Sequence, residues 1–276
     1  MLPPPQKLST FTHQFSGYSV WLSPNLPKSQ SIINEMSKIA KKCGGEANGV
    51  HAFEPHCTLL YNFESNDLLK EKYSKEASIR GLDPMGGVVK ATNNIDTAKE
   101  GNGNDSLERF KKKVAEALLQ KCRDMFQHNR PLIDDNADGS KTRSLLKPDS
   151  FYFFPYPKDA DDGKGFGCVV PLLLLENTPP LQSLHDIVSD IFPPDERHRK
   201  GDEQRHKIPN EGKFIPHMAL CYAPEIYQKE LEDYVETLKS NRNDLLGRLD
   251  ARFLSVWNTE GGLADWNLIA RIELGG

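Results

Sequence analysis

The sequence predicts a fold of mixed strands and helices built on an internal duplication. Two observations predict it. The order strand–helix–strand–helix occurs twice along the chain, and the third element of each copy carries the same nine-residue pattern, at 53–61 and 214–222. FEPHCTLLY and FIPHMALCY share their Phe, Pro, His, Leu and Tyr residues when they are aligned. Because this match falls at the same place in a repeated order of elements, it indicates duplication rather than chance.

The first copy begins with a short strand at 17–22, GYSVWL. Apolar residues then recur at helical spacing between 29 and 42, and the Gly-Gly pair at 44–45 predicts the end of that helix. The matched segment continues as a strand-like stretch over 53–63, and Ser65 opens a charged stretch that is predicted to be helical.

The second copy repeats that order of elements. Its strands are predicted at 165–175 and 213–222, and its helices begin at Pro180 and Pro224, because proline is favoured in the first turn of a helix. Two further strands complete the chain, at 251–258 and 265–274.

Three segments differ in composition from this framework. Residues 1–15 are rich in proline and are predicted to form a flexible leader. Segments 83–150 and 193–213 are polar, and we expect them to be insertions on the surface of a single two-lobed unit that spans 16–276. The first insertion contains an amphipathic helix that carries Leu107, Phe110, Val114, Leu118 and Met125.

Composition excludes several classes of protein. The net charge of the 276 residues is −4, which argues against a strongly cationic body that coats nucleic-acid phosphates. No apolar run approaches the length of a membrane span or of a secretory signal. The five cysteines are scattered and include no C-x-x-C pair, so neither a disulfide framework nor a zinc knuckle is indicated. We therefore expect a cytoplasmic monomer with reduced thiols, no membrane partner and no extended nucleic-acid surface.

The matched segments place one histidine each on a strand, at His56 and His217. Side chains alternate between the two faces of a strand, so residues two apart point the same way. The residues predicted to share a face are His56, Thr58 and Leu60 in the first copy and His217, Ala219 and Cys221 in the second. If the copies pack about a two-fold axis, both imidazoles face one cleft.

Two facing imidazoles suit acid–base displacement at phosphorus, because histidine can be neutral or protonated near neutral pH. One takes a proton from water while the other gives a proton to the leaving oxygen, and Thr58 donates to a phosphate oxygen. We favour His217 as the base and His56 as the acid, although the near-symmetry of the copies leaves the reverse assignment open.

Other interpretations of the histidines stay open. A single histidine in a strand is usually structural, and we assign His13, His51, His128, His185, His198 and His206 to structural or surface positions. His56 and His217 have no Glu or Asp at ligand spacing, so they make a poor zinc site, and we expect no metal or other cofactor.

These motifs resemble those of the 2H phosphoesterase superfamily, which is defined by two His-x-Thr/Ser-x motifs. HCTL at 56–59 matches that pattern fully, whereas HMAL at 217–220 has Ala219 in place of the hydroxyl residue. FEPHCT, PHMALCY, YSVWLSP, GFGCVVPLLLLENTP and VWNTEGGLADWNLIARIEL are similar to segments of the eukaryotic cyclic phosphodiesterase branch. The resemblance covers most of 17–80 and 150–276.

The resemblance implies a two-lobed α+β fold in which antiparallel sheets face a central cleft and helices lie outside. It implies hydrolysis of cyclic phosphates on ribose, such as ADP-ribose 1″,2″-cyclic phosphate or nucleoside 2′,3′-cyclic phosphates, the latter giving 2′-phosphates. His56 and His217 would be the catalytic pair and Thr58 the phosphate ligand. Trp21 and Tyr222 would contact the nucleotide, with packing in the core as the alternative for both.

Two other functions remain open on the sequence alone. One is processing of the cyclic-phosphate or 2′–5′ end of an RNA chain, which would need a basic track leading to the cleft. The other is a non-catalytic nucleotide-binding module, since Ala219 removes a hydroxyl donor and the long insertions have no assigned role.

Overall fold

The computed structural model of the chain describes residues 17–25, 29–48, 50–51, 53–63, 103–128, 145–156, 168–192, 214–240 and 249–274. The leader predicted at 1–15, the helix predicted from Ser65 and the insertion predicted at 193–213 lie outside the described residues.

The described chain alternates between strands and helices, as the sequence predicts. Its helices are α1 (Gln30–Lys42), α2 (Gly103–His128), α3 (Pro179–Ile191) and α4 (Gln228–Ser240). Its strands are β1 (Tyr18–Pro24), β2 (Cys57–Phe63), β3 (Pro148–Tyr156), β4 (Cys168–Leu175), β5 (His217–Ala219), β6 (Ala223–Pro224), β7 (Ala251–Asn258) and β8 (Asn267–Glu273).

Local sequence explains where the helices of the two copies begin and end. The Thr178 hydroxyl accepts the Leu181 N–H at 3.4 Å, and Pro179 occupies the first turn of α3, so this helix has a capped start. α1 ends at Cys43, after which Gly44 takes the left-handed backbone conformation with φ of 80° that a glycine adopts without strain.

Within the described residues, the strands form one antiparallel sheet in the order β3–β4–β5–β2–β1–β7–β8, with β6 paired to β4. The sequence predicted antiparallel sheets in two lobes. The two halves, β3–β4–β5 and β2–β1–β7–β8, are instead hydrogen-bonded to each other through β2 and β5. The joint is narrow, because its register contains the single pair Cys57 and Met218.

This narrow joint pairs equivalent positions of the two matched segments. Cys57 and Met218 occupy the same position in the two matched nine-residue segments, and they lie opposite each other. Leu22 on β1 is opposite Cys57, and Leu173 on β4 is opposite Met218 in the same antiparallel sense. The helices α1 and α3, each of 13 residues, connect the two strands of each pair. Equivalent residues of the copies therefore meet across the joint.

The helices cover one face of the sheet. Their buried apolar side chains join one core with alternate residues of the central strands, including Val20, Leu22, Cys57, Leu173 and Met218. A second, smaller cluster contains Cys168, Val170, Leu172 and Ala219, which alternate with residues of the main core along their strands. The sheet thus has one face packed on helices and an opposite face with its own side chains, an arrangement typical of α+β proteins.

A β-bulge changes which side chains of β2 share a face. Trp21 lies opposite Thr58, but the next registered pair joins Val20 to Leu60, so Leu59 is an extra residue in β2. Leu59 and Leu60 both pack with the helix-covered core. The prediction that Leu60 shares a face with Thr58 is therefore wrong, because the bulge shifts the alternation by one residue.

The second copy departs from regular alternation at the equivalent place. β5 ends at Ala219, and the next residue, Leu220, donates its N–H to the Pro171 carbonyl at 2.9 Å. Cys221 is then buried in the helix-covered core. The prediction that Cys221 shares a face with Ala219 is wrong as well, here because the strand does not continue past Ala219.

Part of the segment predicted as a surface insertion belongs to the core. The amphipathic helix predicted there is α2, and its residues Ala115, Leu118, Leu119 and Cys122 are buried in the main core. The sequence predicted loops up to residue 150, whereas β3 begins at Pro148 and pairs with β4 as far as Tyr156.

All five cysteines are unpaired and buried. Of the helices in the described part of the chain, none has the length and apolar character that crossing a membrane requires.

Candidate active site

On the sheet face opposite the helices, the residues predicted for the site form two neighbouring cross-strand pairs. Continuing the antiparallel register by one residue on each side of the Cys57–Met218 pair places Thr58 opposite His217 and His56 opposite Ala219. Each histidine therefore lies beside the residue two positions after the histidine of the other copy. The sequence predicted that both histidines share a face, and this register places them together.

The pair formed by Thr58 and His217 continues across the sheet through β1, β7 and β8. Trp21 on β1 lies opposite Thr58, and Ser255 on β7 lies opposite Trp21. Arg271 on β8 is in turn opposite Ser255, and donates from Nε to the Ser255 hydroxyl at 3.1 Å. Thr58 is thus flanked by an indole on one side and by His217 on the other.

Both histidine rings make the same type of hydrogen bond, from Nδ1 to the backbone carbonyl two residues before. His56 Nδ1 lies 2.6 Å from the Glu54 carbonyl oxygen, and His217 Nδ1 lies 2.9 Å from the Ile215 carbonyl oxygen. A carbonyl oxygen can only accept, so in each ring Nδ1 carries the hydrogen. Nε2 of each histidine is then the nitrogen that can take up or release a proton.

The proline that precedes each histidine explains this shared geometry. Pro55 and Pro216 lie between the histidine and the residue whose carbonyl it contacts. A proline fixes its own φ and restricts the residue before it to extended conformations. The X-Pro-His sequence thereby favours a backbone in which the carbonyl two residues before the histidine lies within reach of Nδ1.

The two histidines differ in burial. His56 is 3% exposed, whereas His217 and Thr58 are only partly buried. The Trp21 ring stacks on the His56 ring with a centroid distance of 3.5 Å and an interplanar angle of 4°, and Phe53 meets the same ring edge-on at 5.8 Å. Thr58 and His217 therefore form the more open half of the site.

Burial sets the protonation state of His56. Its pKa is lowered from an ordinary 6.5 to about 3, chiefly because burial removes water from the charged form. The hydrogen bond to Glu54 acts in the opposite direction, and the positive charge of His217 lowers the pKa further. His56 is consequently neutral near pH 7, with a free electron pair on Nε2.

The influence of His217 on His56 agrees with their positions in the sheet. They are diagonal neighbours on adjacent strands, and such residues typically lie about 7–8 Å apart. A phosphate group that spans this separation would contact both rings. The arrangement can accept a proton on one side of a phosphorus atom and donate one on the other.

Aromatic side chains from distant parts of the chain surround His56. Trp257 stacks on Trp21 with a centroid distance of 4.5 Å, and Trp266 approaches Trp21 edge-on at 5.5 Å. Tyr222 lies 5.5 Å from Phe53 and 6.2 Å from Trp266. The aromatic group near His56 thus contains Trp21 and Tyr222, for which the resemblance implies nucleotide contacts, together with Phe53, Trp257 and Trp266.

No role was predicted for those three added aromatic residues. Phe53 opens the first matched segment, and Trp257 and Trp266 lie in the closing stretch VWNTEGGLADW, so their positions were visible but not their contacts. Aromatic residues in strands are common in cores, and only the pairing of β1 with β7 brings Trp257 onto Trp21.

An ion pair anchors the residue whose carbonyl holds His56. Arg271 donates from one terminal guanidinium nitrogen to Glu54 Oε2 at 2.5 Å, and both side chains are largely buried, with 24% and 15% exposure. The guanidinium also lies 5.1 Å from the centre of the Phe253 ring. The sequence analysis assigned no role to either residue, because 217 positions separate them along the chain.

Ala219, where the resemblance expects a hydroxyl, lies in apolar surroundings. It is 6% exposed and packs with Cys168, Val170 and Leu172, against which Phe53 and Tyr222 also lie. Of the two positions that follow each histidine by two residues, Thr58 carries a hydroxyl and Ala219 does not.

The described residues contain no group of three or more His, Cys, Asp or Glu side chains placed to hold a metal ion. No family model and no curated protein sequence matches the chain.

Proposed function

We propose that this protein is a metal-independent cyclic phosphodiesterase that hydrolyses cyclic phosphates on ribose, with His56 and His217 as its acid–base pair. The observation that carries the proposal is the equivalence of the two histidines across the β2–β5 joint, together with their identical Nδ1–carbonyl bonds. A duplicated pair of imidazoles, one to accept a proton and one to donate a proton, is what in-line displacement at phosphorus requires.

The different environments of the two rings support a division of roles. His56 is neutral near pH 7 because its pKa is lowered to about 3, so it does not carry the proton that a general acid must donate, and we assign it the role of base. His217, the more open ring, then supplies the proton for the leaving oxygen. The sequence favoured the reverse assignment, and the burial of His56 argues against it because a buried ring holds a proton poorly.

For a nucleoside 2′,3′-cyclic phosphate, we propose attack by water on phosphorus with release of the 3′ oxygen. Water oxygen bonds to phosphorus while its proton passes to His56 Nε2. The bond from phosphorus to the 3′ oxygen breaks, and that oxygen takes the proton from His217, which leaves a 2′-phosphate. Proton transfer from His56 back to His217 through solvent restores the starting state.

Thr58 supports the same placement of the phosphate. Continuing the β2–β5 register by one residue from the Cys57–Met218 pair places it opposite His217, so its hydroxyl can donate to a non-bridging oxygen where negative charge collects. Ala219 offers no such donor beside His56 and is packed among apolar side chains. We therefore place the charged oxygens of the phosphate towards Thr58, and the ribose and base towards the aromatic residues around His56.

A non-catalytic nucleotide-binding module is the second candidate. The observation that favours it is the 3% exposure of His56, which lies beneath Trp21. In that case the aromatic cluster would bind a nucleotide that is never hydrolysed. Binding without turnover is the result that distinguishes this function from the first.

Purified protein with 2′,3′-cyclic AMP, ADP-ribose 1″,2″-cyclic phosphate or a short RNA ending in a cyclic phosphate, each in excess EDTA, tests the proposal. We expect hydrolysis of a small cyclic phosphate, and a loss of roughly 10²–10⁴-fold in kcat for His56→Ala and for His217→Ala. His128→Ala is the matched control, because His128 is exposed at the end of α2. The same kcat in all three variants would refute the acid–base assignment, and binding without hydrolysis would establish the second candidate.

A further inference from the structure

We infer that Arg271 and Glu54 form a positioning pair that holds His56 in its proton-accepting form; this rests on the proposed function. Neither residue is expected to touch the substrate. Their role is to keep the Glu54 carbonyl oxygen at 2.6 Å from His56 Nδ1, so that Nε2 carries the free electron pair.

The pair connects the residues before β2 to the far edge of the sheet. Arg271 on β8 bonds to Glu54 at 2.5 Å and to the Ser255 hydroxyl on β7 at 3.1 Å. Between these strands and β2 lies β1 with Trp21, which stacks on the His56 ring. The guanidinium therefore fixes the Glu54 end of the segment while Trp21 fixes the plane of the ring.

The first copy needs this anchor because its X-Pro-His segment precedes the strand. Residues 53–56 are not part of β2, and the register of β1 with β2 starts at the pair Leu22–Cys57. The second copy is anchored by the backbone itself. There Leu175 donates its N–H to the Pro216 carbonyl at 2.9 Å, and Leu174 lies opposite His217.

The residue types at the equivalent positions agree with this difference. Glu54 of the first copy corresponds to Ile215 of the second, which has no carboxylate and whose carbonyl nevertheless lies 2.9 Å from His217 Nδ1. The residue two positions before the histidine is thus charged in the first copy, where strand pairing does not extend to the X-Pro-His segment. It is apolar in the second copy, where strand pairing does extend to that segment. Packing alone would not require a carboxylate at position 54.

Glu54→Gln and Arg271→Gln test the inference through catalysis. A loosened carbonyl lets the His56 ring move and lets its hydrogen shift to Nε2, so we expect kcat to fall about 10–100-fold, since displacement of a catalytic group by about 1 Å can cost that much. KM should change less than about threefold, because the phosphate ligand Thr58 is untouched. The double variant should be no slower than the slower single variant, because both changes break one link.

Arg252→Gln is the matched control. Arg252 on β7 pairs with Glu273 on β8 at 3.0 Å, but this ion pair is exposed, and within the described residues neither side chain hydrogen-bonds to residues 53–56. If all three arginine and glutamate variants lower kcat equally, the effect is a general loss of β7–β8 stability and the inference is overturned. Wild-type kcat in both Glu54→Gln and Arg271→Gln overturns it as well.

A spectroscopic measurement separates this inference from the proposed function. Nitrogen-15 NMR of the imidazole of His56, without substrate, reports which ring nitrogen carries the hydrogen. We expect a single Nδ1–H form in the wild-type protein and in Arg252→Gln, and a mixture of the two neutral forms in Glu54→Gln and Arg271→Gln. An unchanged Nδ1–H form in those two variants refutes the positioning role even if the wild-type protein is an active phosphodiesterase. A shift to the mixture upholds it even if the protein hydrolyses nothing.

Discussion

Lowering the pH from 7 to 4.5 is expected to destabilise the folded protein through His56. The pKa of this ring is about 3 in the folded protein, against an ordinary value of 6.5 that applies to the unfolded chain. Below pH 6.5 the unfolded chain therefore binds a proton at this position that the folded protein does not bind. The free energy of unfolding falls as the pH drops through this range, and the loss levels off near pH 3.

The size of the effect follows from the two pKa values. One pKa unit corresponds to about 1.36 kcal/mol, and pH 4.5 lies about two units below the ordinary value, so His56 alone should remove about 2.5 kcal/mol between pH 7 and 4.5. Because the ring is 3% exposed, solvent screening reduces this figure little. A loss of that size is a large fraction of the stability of a typical protein.

Urea unfolding at the two pH values, followed by tryptophan fluorescence, measures the loss. His56→Asn keeps a neutral donor for the Glu54 carbonyl but cannot titrate, so its loss should be smaller than that of the wild-type protein by about 2.5 kcal/mol. His128→Asn, at an exposed position, should behave as the wild-type protein does. Equal losses in His56→Asn and the wild-type protein would refute the argument that burial holds this ring neutral.

Two further predictions concern single hydroxyl groups. Thr58→Val should lower kcat/KM about 10–150-fold, because it removes a donor to a charged oxygen that is worth about 1.5–3 kcal/mol. Thr58→Ser keeps the hydroxyl and should retain most of the activity. Equal rates for the Val and Ser variants would exclude a phosphate contact. Tyr234→Phe removes the hydroxyl that donates to Glu35, which is 6% exposed, and should lower the free energy of unfolding by about 1–3 kcal/mol in urea titrations. Tyr227→Phe is its control, because that hydroxyl accepts from Asn48 at 2.7 Å and contacts no buried charge; equal effects of the two variants would contradict the role given to Glu35.

Most of the secondary structure in the described residues was predictable because it follows from the local spacing of apolar residues. The helix over 29–42 is α1 within one residue at its start, and the strand predicted at 251–258 is β7 with the same bounds. β3 was missed even though it reads FYFFPY. It directly follows a polar segment, and it becomes a strand by pairing with β4 along its length.

The histidine motif could also be predicted from local sequence, but the arrangement of the residues after it could not. The two matched segments contain the proline that aims a carbonyl at each histidine, so the ring geometry is encoded within a few residues. The alternation past Thr58 could not be read in the same way. The bulge at Leu59 depends on how β1 pairs with β2, and the sequence of β2 alone does not specify it.

Residue types a few positions apart were enough to predict two matched segments with one histidine each, His56 and His217, and to show that only the first has a hydroxyl two positions later, at Thr58. These properties depend on residue types a few positions apart. The tertiary structure decided how the surroundings of the two histidines differ. Trp21, Trp257 and the Arg271–Glu54 pair come to His56 from other strands of the sheet. Desolvation and positioning depend on such distant neighbours, and so does the proposed assignment of His56 as the proton acceptor.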